Sequence, residues 1–137
     1  MKKVLVLCTG NSCRSQIAEG YLRYFAENKA EIISAGIETH GLNPRAIAIM
    51  KEDGIDISAH ISNNIDEYQN IDFDFVITVC DHAKENCPFF PTQARKFHYN
   101  FADPAKAEGT EEEIMQQFRN VRQEIKDYCM QFVTDNL

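Results

Sequence analysis

The chain has 137 residues, the length of one ordinary domain, and 44% of them are apolar, enough for a single core. A net charge of -7 and a pI near 5.0 exclude a surface built to neutralise nucleic acid or an anionic membrane, so an anion must be drawn by a local site. No apolar run reaches the roughly 18 residues of a spanning helix, and the opening apolar segment is too short for a signal peptide, so the expected location is the cytoplasm. There the five cysteines, an odd number in a reducing compartment, argue against a structural disulfide framework and leave metal binding, nucleophilic chemistry or a redox relay.

Read in order, strand and helix alternate. "KKVLVL" (2–7) is a continuous apolar run, as in a strand buried on both faces. "SQIAEGYLRYFAEN" (15–28) places Ile17, Tyr21, Tyr24 and Phe25 at helical spacing. "EIISAG" (31–36) reads as a second strand. In "NPRAIAIMKEDG" (43–54) Asn43 caps a helix, Pro44 occupies its first position and Gly54 follows its end. "FDFVITVC" (73–80) and "ARKFHYNF" (94–101) are the third and fourth strands. From Thr110 to about Val133, Ile114, Phe118, Val121, Ile125 and Tyr128 keep a spacing of three to four, which predicts a long amphipathic helix with Glu111, Glu112 and Glu113 as its acidic first turn. There is no repeat or linker. Residues 1–137 are expected to form one α/β domain, an open, mostly parallel four-stranded sheet with helices on both faces. Ligands of such sheets lie beyond the carboxyl ends of the strands.

The loop "CTGNSCRS" (8–15) stands at such an end, between a buried strand and a helix. Its successive N–H groups can curl into an anion-binding nest at a positive helix end, and Gly10 and Asn11 tolerate the left-handed dihedrals a curl requires. A thiol there ionises more readily, which makes Cys8 a nucleophile. The Arg14 fork can hold two oxygens of a tetrahedral oxyanion in a way Lys cannot. The hydroxyls of Ser12 and Ser15 are candidate donors to Cys8. Cys-x5-Arg is by itself a common spacing; its place between strand and helix gives it weight.

This loop, Cys-x5-Arg-Ser, resembles the oxyanion-binding loop of the low-molecular-weight protein tyrosine phosphatase superfamily. Thr9, Gly10, Asn11, Ser12, Cys13, Arg14 and Ser15 are then the expected substrate-binding residues. A phosphatase needs only Cys8, Arg14 and an acid. Yet "VITVCDHAKENCPFFP" puts Cys80 at the end of the third strand and Cys87 seven residues later. Together with "SAGIETHG" (34–41) and "DPA" (103–105), the three cysteines resemble the thioredoxin-coupled arsenate reductases of the phosphatase-like type. The similarity runs from Val4 to about Lys126.

The resemblance implies a cycle. Cys8 attacks arsenate, with Asp103 as general acid for the departing oxygen. Cys80 attacks Cys8 and releases arsenite. Cys87 attacks Cys80, and thioredoxin reduces the Cys80–Cys87 disulfide. No metal or other cofactor is required, the expected partners are arsenate and thioredoxin, and the protein is expected to act as a monomer in arsenic detoxification. A regular helix over residues 80–87 would separate the two Cα atoms by about 10.5 Å, whereas a disulfide tolerates about 7 Å. Oxidation is therefore expected to rearrange residues 80 to about 92 and to present the Cys80–Cys87 bond at the surface.

Two other readings remain open. A low-molecular-weight phosphatase would use Cys8, Arg14 and Asp103 alone, although that branch carries an aromatic pair after Asp-Pro where this chain has Ala105 and Lys106. A redox sensor binding an oxyanion or zinc is the other; Cys80, His82, Cys87 and His98 fit no common zinc spacing. Cys13 is read as a small, non-essential loop residue, Cys129 as core packing, and His40 and His60 as hydrogen-bonding loop residues. Some reductases of this family hold a monovalent cation behind the loop. Asn11, Glu19 and Ser34 match its ligands, but Asn63 stands in the place of an Asp, so potassium activation is not expected.

Overall fold

β1 (Lys2–Cys8) is the strand with no polar side chain over its central residues: Val4, Leu5, Val6 and Leu7 are all fully buried. A strand apolar on both faces belongs inside a sheet. In the computed structural model, which describes residues 1–81 and 90–137, β1 pairs in parallel with β2 (Ala30–Gly36) on one side and β3 (Phe75–Thr78) on the other. β4 (Arg95–His98) adds to β3, again in parallel, giving the order β2-β1-β3-β4. As an edge strand β4 carries exposed Arg95 and Lys96, which discourages further pairing. The third and fourth strands are shorter than the segments expected for them, although Asp74, Val79 and Tyr99 beyond their ends still donate to the neighbouring strand.

The helices are α1 (Arg14–Ala26), α2 (Pro44–Glu52) and α3 (Glu111–Asn136). Side chains of all three join one core with Val4, Val6, Ile32, Phe75 and Ile77. On the other face Leu5, Leu7, Ala35 and Val76 are covered by Ile65 and Tyr68 of a 3-10 helix (Ile65–Tyr68), with Phe73 and Phe90. Three α-helices thus cover one face, and a single 3-10 turn stands among the described residues that cover the other. Tyr24, which periodicity assigns to the core, is 65% exposed; Ala18 and Leu22 turn inward instead.

The helix boundaries follow local chemistry. Asn43 Oδ1 accepts from the N–H groups of Arg45 and Ala46, with Pro44 at the first helical position. Thr110 and Glu113 form a reciprocal capping box at the start of α3. No helix among the described residues is long and apolar enough to cross a membrane.

Candidate active site

α1 begins at Arg14 with Cys13 as its cap residue, and no side chain among the described residues caps it. Its first N–H groups are left to face the loop that precedes it, Cys8 to Cys13. The carbonyls from Thr9 to Cys13 are all directed outward. Thr9 O accepts from the Glu38 N–H at 3.0 Å, Gly10 O from His40 at 3.1 Å, Ser12 O from Asn43 at 3.1 Å and Cys13 O from Ile17 at 2.9 Å. Asn11 O accepts from Gln16 Nε2 at 3.2 Å. With five carbonyls turned away, the intervening N–H groups line the concave side, which is the arrangement that binds an anion.

Asn11 makes the curl possible, at φ +47°. Gly10, the other candidate for a left-handed residue, lies outside that region, and its missing side chain serves another purpose. A Cβ there would lie 2.6 Å from His40 Nδ1. Asn11 is fully buried and fixed on every side: Nδ2 donates to Ser15 Oγ at 2.8 Å, and Oδ1 accepts from the Asn63 N–H at 2.7 Å and from Gln16 Nε2 at 3.1 Å.

The cavity enclosed by the loop measures about 260 Å³ and is lined by Cys8, Arg14 and Asp103 among others. Arg14 is 3% exposed; its Nη1 donates to Phe101 O at 3.1 Å, and Nη2 lies 3.6 Å from Asp103 Oδ2. Asp103 caps a 3-10 helix (Pro104–Lys106), accepting the Ala105 N–H at 3.0 Å. Thus Thr9, Gly10, Ser12 and Cys13 line one cavity with the nucleophile candidate, the arginine and the acid candidate, while Asn11 and Ser15 brace it from behind.

The family follows from the whole chain as well as this loop. Residues 3–137 match the model of the low molecular weight phosphotyrosine protein phosphatases. The chain belongs to that family. Within this phosphatase family it groups with arsenate reductases. The arsenate reductase of Halalkalibacterium halodurans is 50% identical over 124 residues, covering 90% of this chain and 89% of its own. A solved arsenate reductase in its phosphate-binding state superimposes with a TM-score of 0.84 at 34% identity, over 98% of both chains. One in the oxidised state gives 0.84 at 33% identity, again over 98% of both.

The thiols differ in state. Cys80 is in a disulfide, whereas Cys8, Cys13 and Cys129 are thiols. Cys80 follows β3 after a single residue, Val79. Leu7 is registered with Thr78 and the Val79 N–H donates to Leu7 O at 3.0 Å, so Cys80 lies one residue beyond the position beside Cys8 on the neighbouring strand. Cys80 is fully buried in the core shared with Cys8. The expectation of a bond presented at the surface is therefore not met at its Cys80 end, because that residue packs with the strand it terminates. Cys87 and most of the predicted rearranging segment lie outside the described residues, as does His82 of the candidate zinc set. Burial, followed by the charges of Asp103 and Cys8, pushes the Cys13 thiol well above its ordinary value. Burial does the same for Cys129, whose Sγ contacts Ala18 O at 3.7 Å. Neither is disposed to ionise.

Gln16, a fully buried polar side chain, escaped the sequence reading. Its Nε2 reaches Asn11 and Ile61 O, and its Oε1 meets His60 Nδ1 at 3.1 Å. Nothing local marks it, since a Gln in a first helical turn is ordinarily a surface residue. The residues matching the cation ligands form a closed network. Glu19 Oε1 accepts from Ser34 Oγ at 2.6 Å and Oε2 from Arg23 Nε at 2.9 Å, while Asn63 Nδ2 donates to Ser34 O at 3.0 Å. The arginine neutralises the carboxylate and the amide turns its hydrogens toward the carbonyl, so this donor set does not fit a cation.

Proposed function

We propose that this chain reduces arsenate to arsenite through Cys8, Cys80 and Cys87, with a thioredoxin-type dithiol as final electron donor. The observation that carries this reading is the split between thiols. Cys8, in the oxyanion cavity, is reduced while Cys80 on the adjoining strand holds a disulfide. A hydrolytic phosphatase has no use for that state, and the relay ends in it. The arsenate reductase relatives supply the same substrate.

In the first step the Cys8 thiolate attacks arsenic held by the loop N–H groups and Arg14. A Cys8–arsenic bond forms, and an oxygen leaves as water with a proton from Asp103. Cys80 thiolate then attacks Cys8 Sγ. The sulfur–sulfur bond forms, the sulfur–arsenic bond breaks, and its electron pair stays on arsenic, which leaves as arsenite. Cys87 thiolate attacks Cys80 Sγ and expels Cys8 as thiolate, leaving a Cys80–Cys87 disulfide. Because Cys80 is buried, the reductant's thiolate attacks the Cys87 sulfur and Cys80 departs. All electrons come from thiols, so no cofactor enters. The protein acts as a cytoplasmic monomer in this scheme.

The test is NADPH oxidation in the presence of thioredoxin and thioredoxin reductase on addition of arsenate, with aryl-phosphate hydrolysis assayed alongside. Sustained arsenate-dependent oxidation is expected. Rapid aryl-phosphate hydrolysis with no oxidation would overturn the proposal in favour of a phosphatase.

A further inference from the structure

The cavity over Cys8 has two walls that the reaction sequence above leaves unused. One is His40, from the loop after β2; the other is Lys106, which closes the 3-10 helix after β4. β2 and β4 are the two edges of the sheet, with β1 and its loop between them. The two side chains therefore approach the nucleophile loop from opposite edges. Among the described residues no Phe, Tyr or Trp lines the cavity, and Ala105 is an apolar part of its wall.

His40 is held in place rather than merely nearby. Its N–H donates to Gly10 O at 3.1 Å, its Nε2 lies 2.6 Å from Glu38 Oε2, and its ring rests on the bare Cα of Gly10, where a side chain would collide with Nδ1. With Nε2–H directed at the carboxylate, Nδ1 is left on the side of the loop. Lys106 is anchored through its own N–H to Asp103 O at 3.2 Å, so its position is tied to that of the acid.

We propose that His40 and Lys106 are specificity-determining residues, a polar rim that selects a small, multiply charged inorganic oxyanion over an aryl ester. The inference rests on the assignment of the cavity to arsenate. A tetrahedral anion in the loop gives three oxygens to the N–H groups and Arg14, and its fourth points to the mouth. In arsenate that oxygen is hydroxyl or oxide; it can accept from the Lys106 ammonium, and as hydroxyl it can donate to His40 Nδ1. In an aryl phosphate it carries a ring, which finds among the described residues neither an aromatic partner nor an apolar wall of useful size. Lys106 also places a positive charge beside the cavity of a chain whose net charge of -7 otherwise repels the substrate.

The test uses the full-length protein with Lys106→Ala, His40→Ala and the double variant, none of which removes a buried side chain. Arsenate binding is read as protection of Cys8 from alkylation in protein whose Cys80 is held in its disulfide, where the cycle cannot proceed, and steady-state reduction is measured beside it. Each single variant is expected to weaken arsenate protection about tenfold and to raise KM similarly, with kcat nearly unchanged and Lys106→Arg restoring most of the loss. Protection by p-nitrophenyl phosphate should be unchanged or improved. Unaltered arsenate protection in the double variant, equal weakening for both ligands, or no protection of the parent by arsenate would each overturn the rim. A parent that is protected by arsenate yet never reduces it would instead sink the proposed reaction and leave the rim decided by the binding series.

Discussion

Arg14 Nη2 stands 3.6 Å from Asp103 Oδ2, at the bottom of the same cavity as Cys8. That gap is too long for a strong bond between the guanidinium and the carboxyl group. In the proposed reaction, an oxyanion entering the loop takes up the guanidinium and leaves Asp103 to serve the departing oxygen. Asp103→Asn is therefore expected to lower kcat for arsenate about 100-fold or more while leaving arsenate protection of Cys8 from alkylation near normal. An equal loss of both would mean that Asp103 organises the loop instead of moving a proton.

Gly36 ends β2 directly beneath the nucleophile loop. A Cβ there would lie 2.7 Å from Thr9 O, 2.8 Å from Cys8 O and 2.9 Å from Asn11 N, all backbone atoms that cannot swing aside. Gly36→Ala is expected to cost about 1–3 kcal/mol of stability by overpacking and to distort the anion nest. Urea unfolding and oxyanion protection of Cys8 measure the two effects. Full oxyanion affinity in a destabilised variant would show that the strain is absorbed elsewhere.

The thiols are expected to separate into two groups. Cys8→Ser and Cys80→Ser abolish turnover, and Cys87→Ser traps a Cys8–Cys80 bond visible by peptide mass spectrometry after one turnover. Cys129→Ala costs about 1 kcal/mol of packing and leaves turnover unchanged. A Cys87→Ser protein cycling at the parental rate with thioredoxin would refute the relay.

Asp53 joins α1 and α3 to the end of α2. It accepts from Tyr21 Oη at 2.7 Å and Lys126 Nζ at 2.8 Å, and these bonds, Lys126 first, hold its carboxyl below the ordinary value. A depressed folded pKa means that the contribution is complete above the unfolded value and is lost as pH falls through the folded one. Asp53→Asn should cost about 1 kcal/mol near neutral pH, and the gap from the parent should close below about pH 4. Urea unfolding at both pH values gives the answer, and a gap independent of pH would contradict it.

The network of Glu19, Arg23, Ser34 and Asn63 supplies its own positive charge. Potassium in place of sodium at constant ionic strength should leave KM for arsenate unchanged. A KM that falls severalfold would show that a cation displaces Arg23.

Much of this was legible locally. The apolar run of β1, the Asn43-Pro44 cap, the Thr110 cap and the spacing of α3 are short-range patterns, and the loop from Cys8 to Ser15 announces an anion nest because it joins a buried strand to a helix. Tertiary structure decided what surrounds that nest. Only the order β2-β1-β3-β4 sets β1 in the middle, and only then do Phe101 and Asp103 reach Arg14 from one edge and His40 reach Gly10 from the other. Asn63 braces Asn11 in the same way, and His60 holds the Gln16 side chain that also braces it, both from a segment distant in sequence. No periodicity records such contacts, because they are fixed by the packing of whole elements and not by the conformational preferences of neighbouring residues.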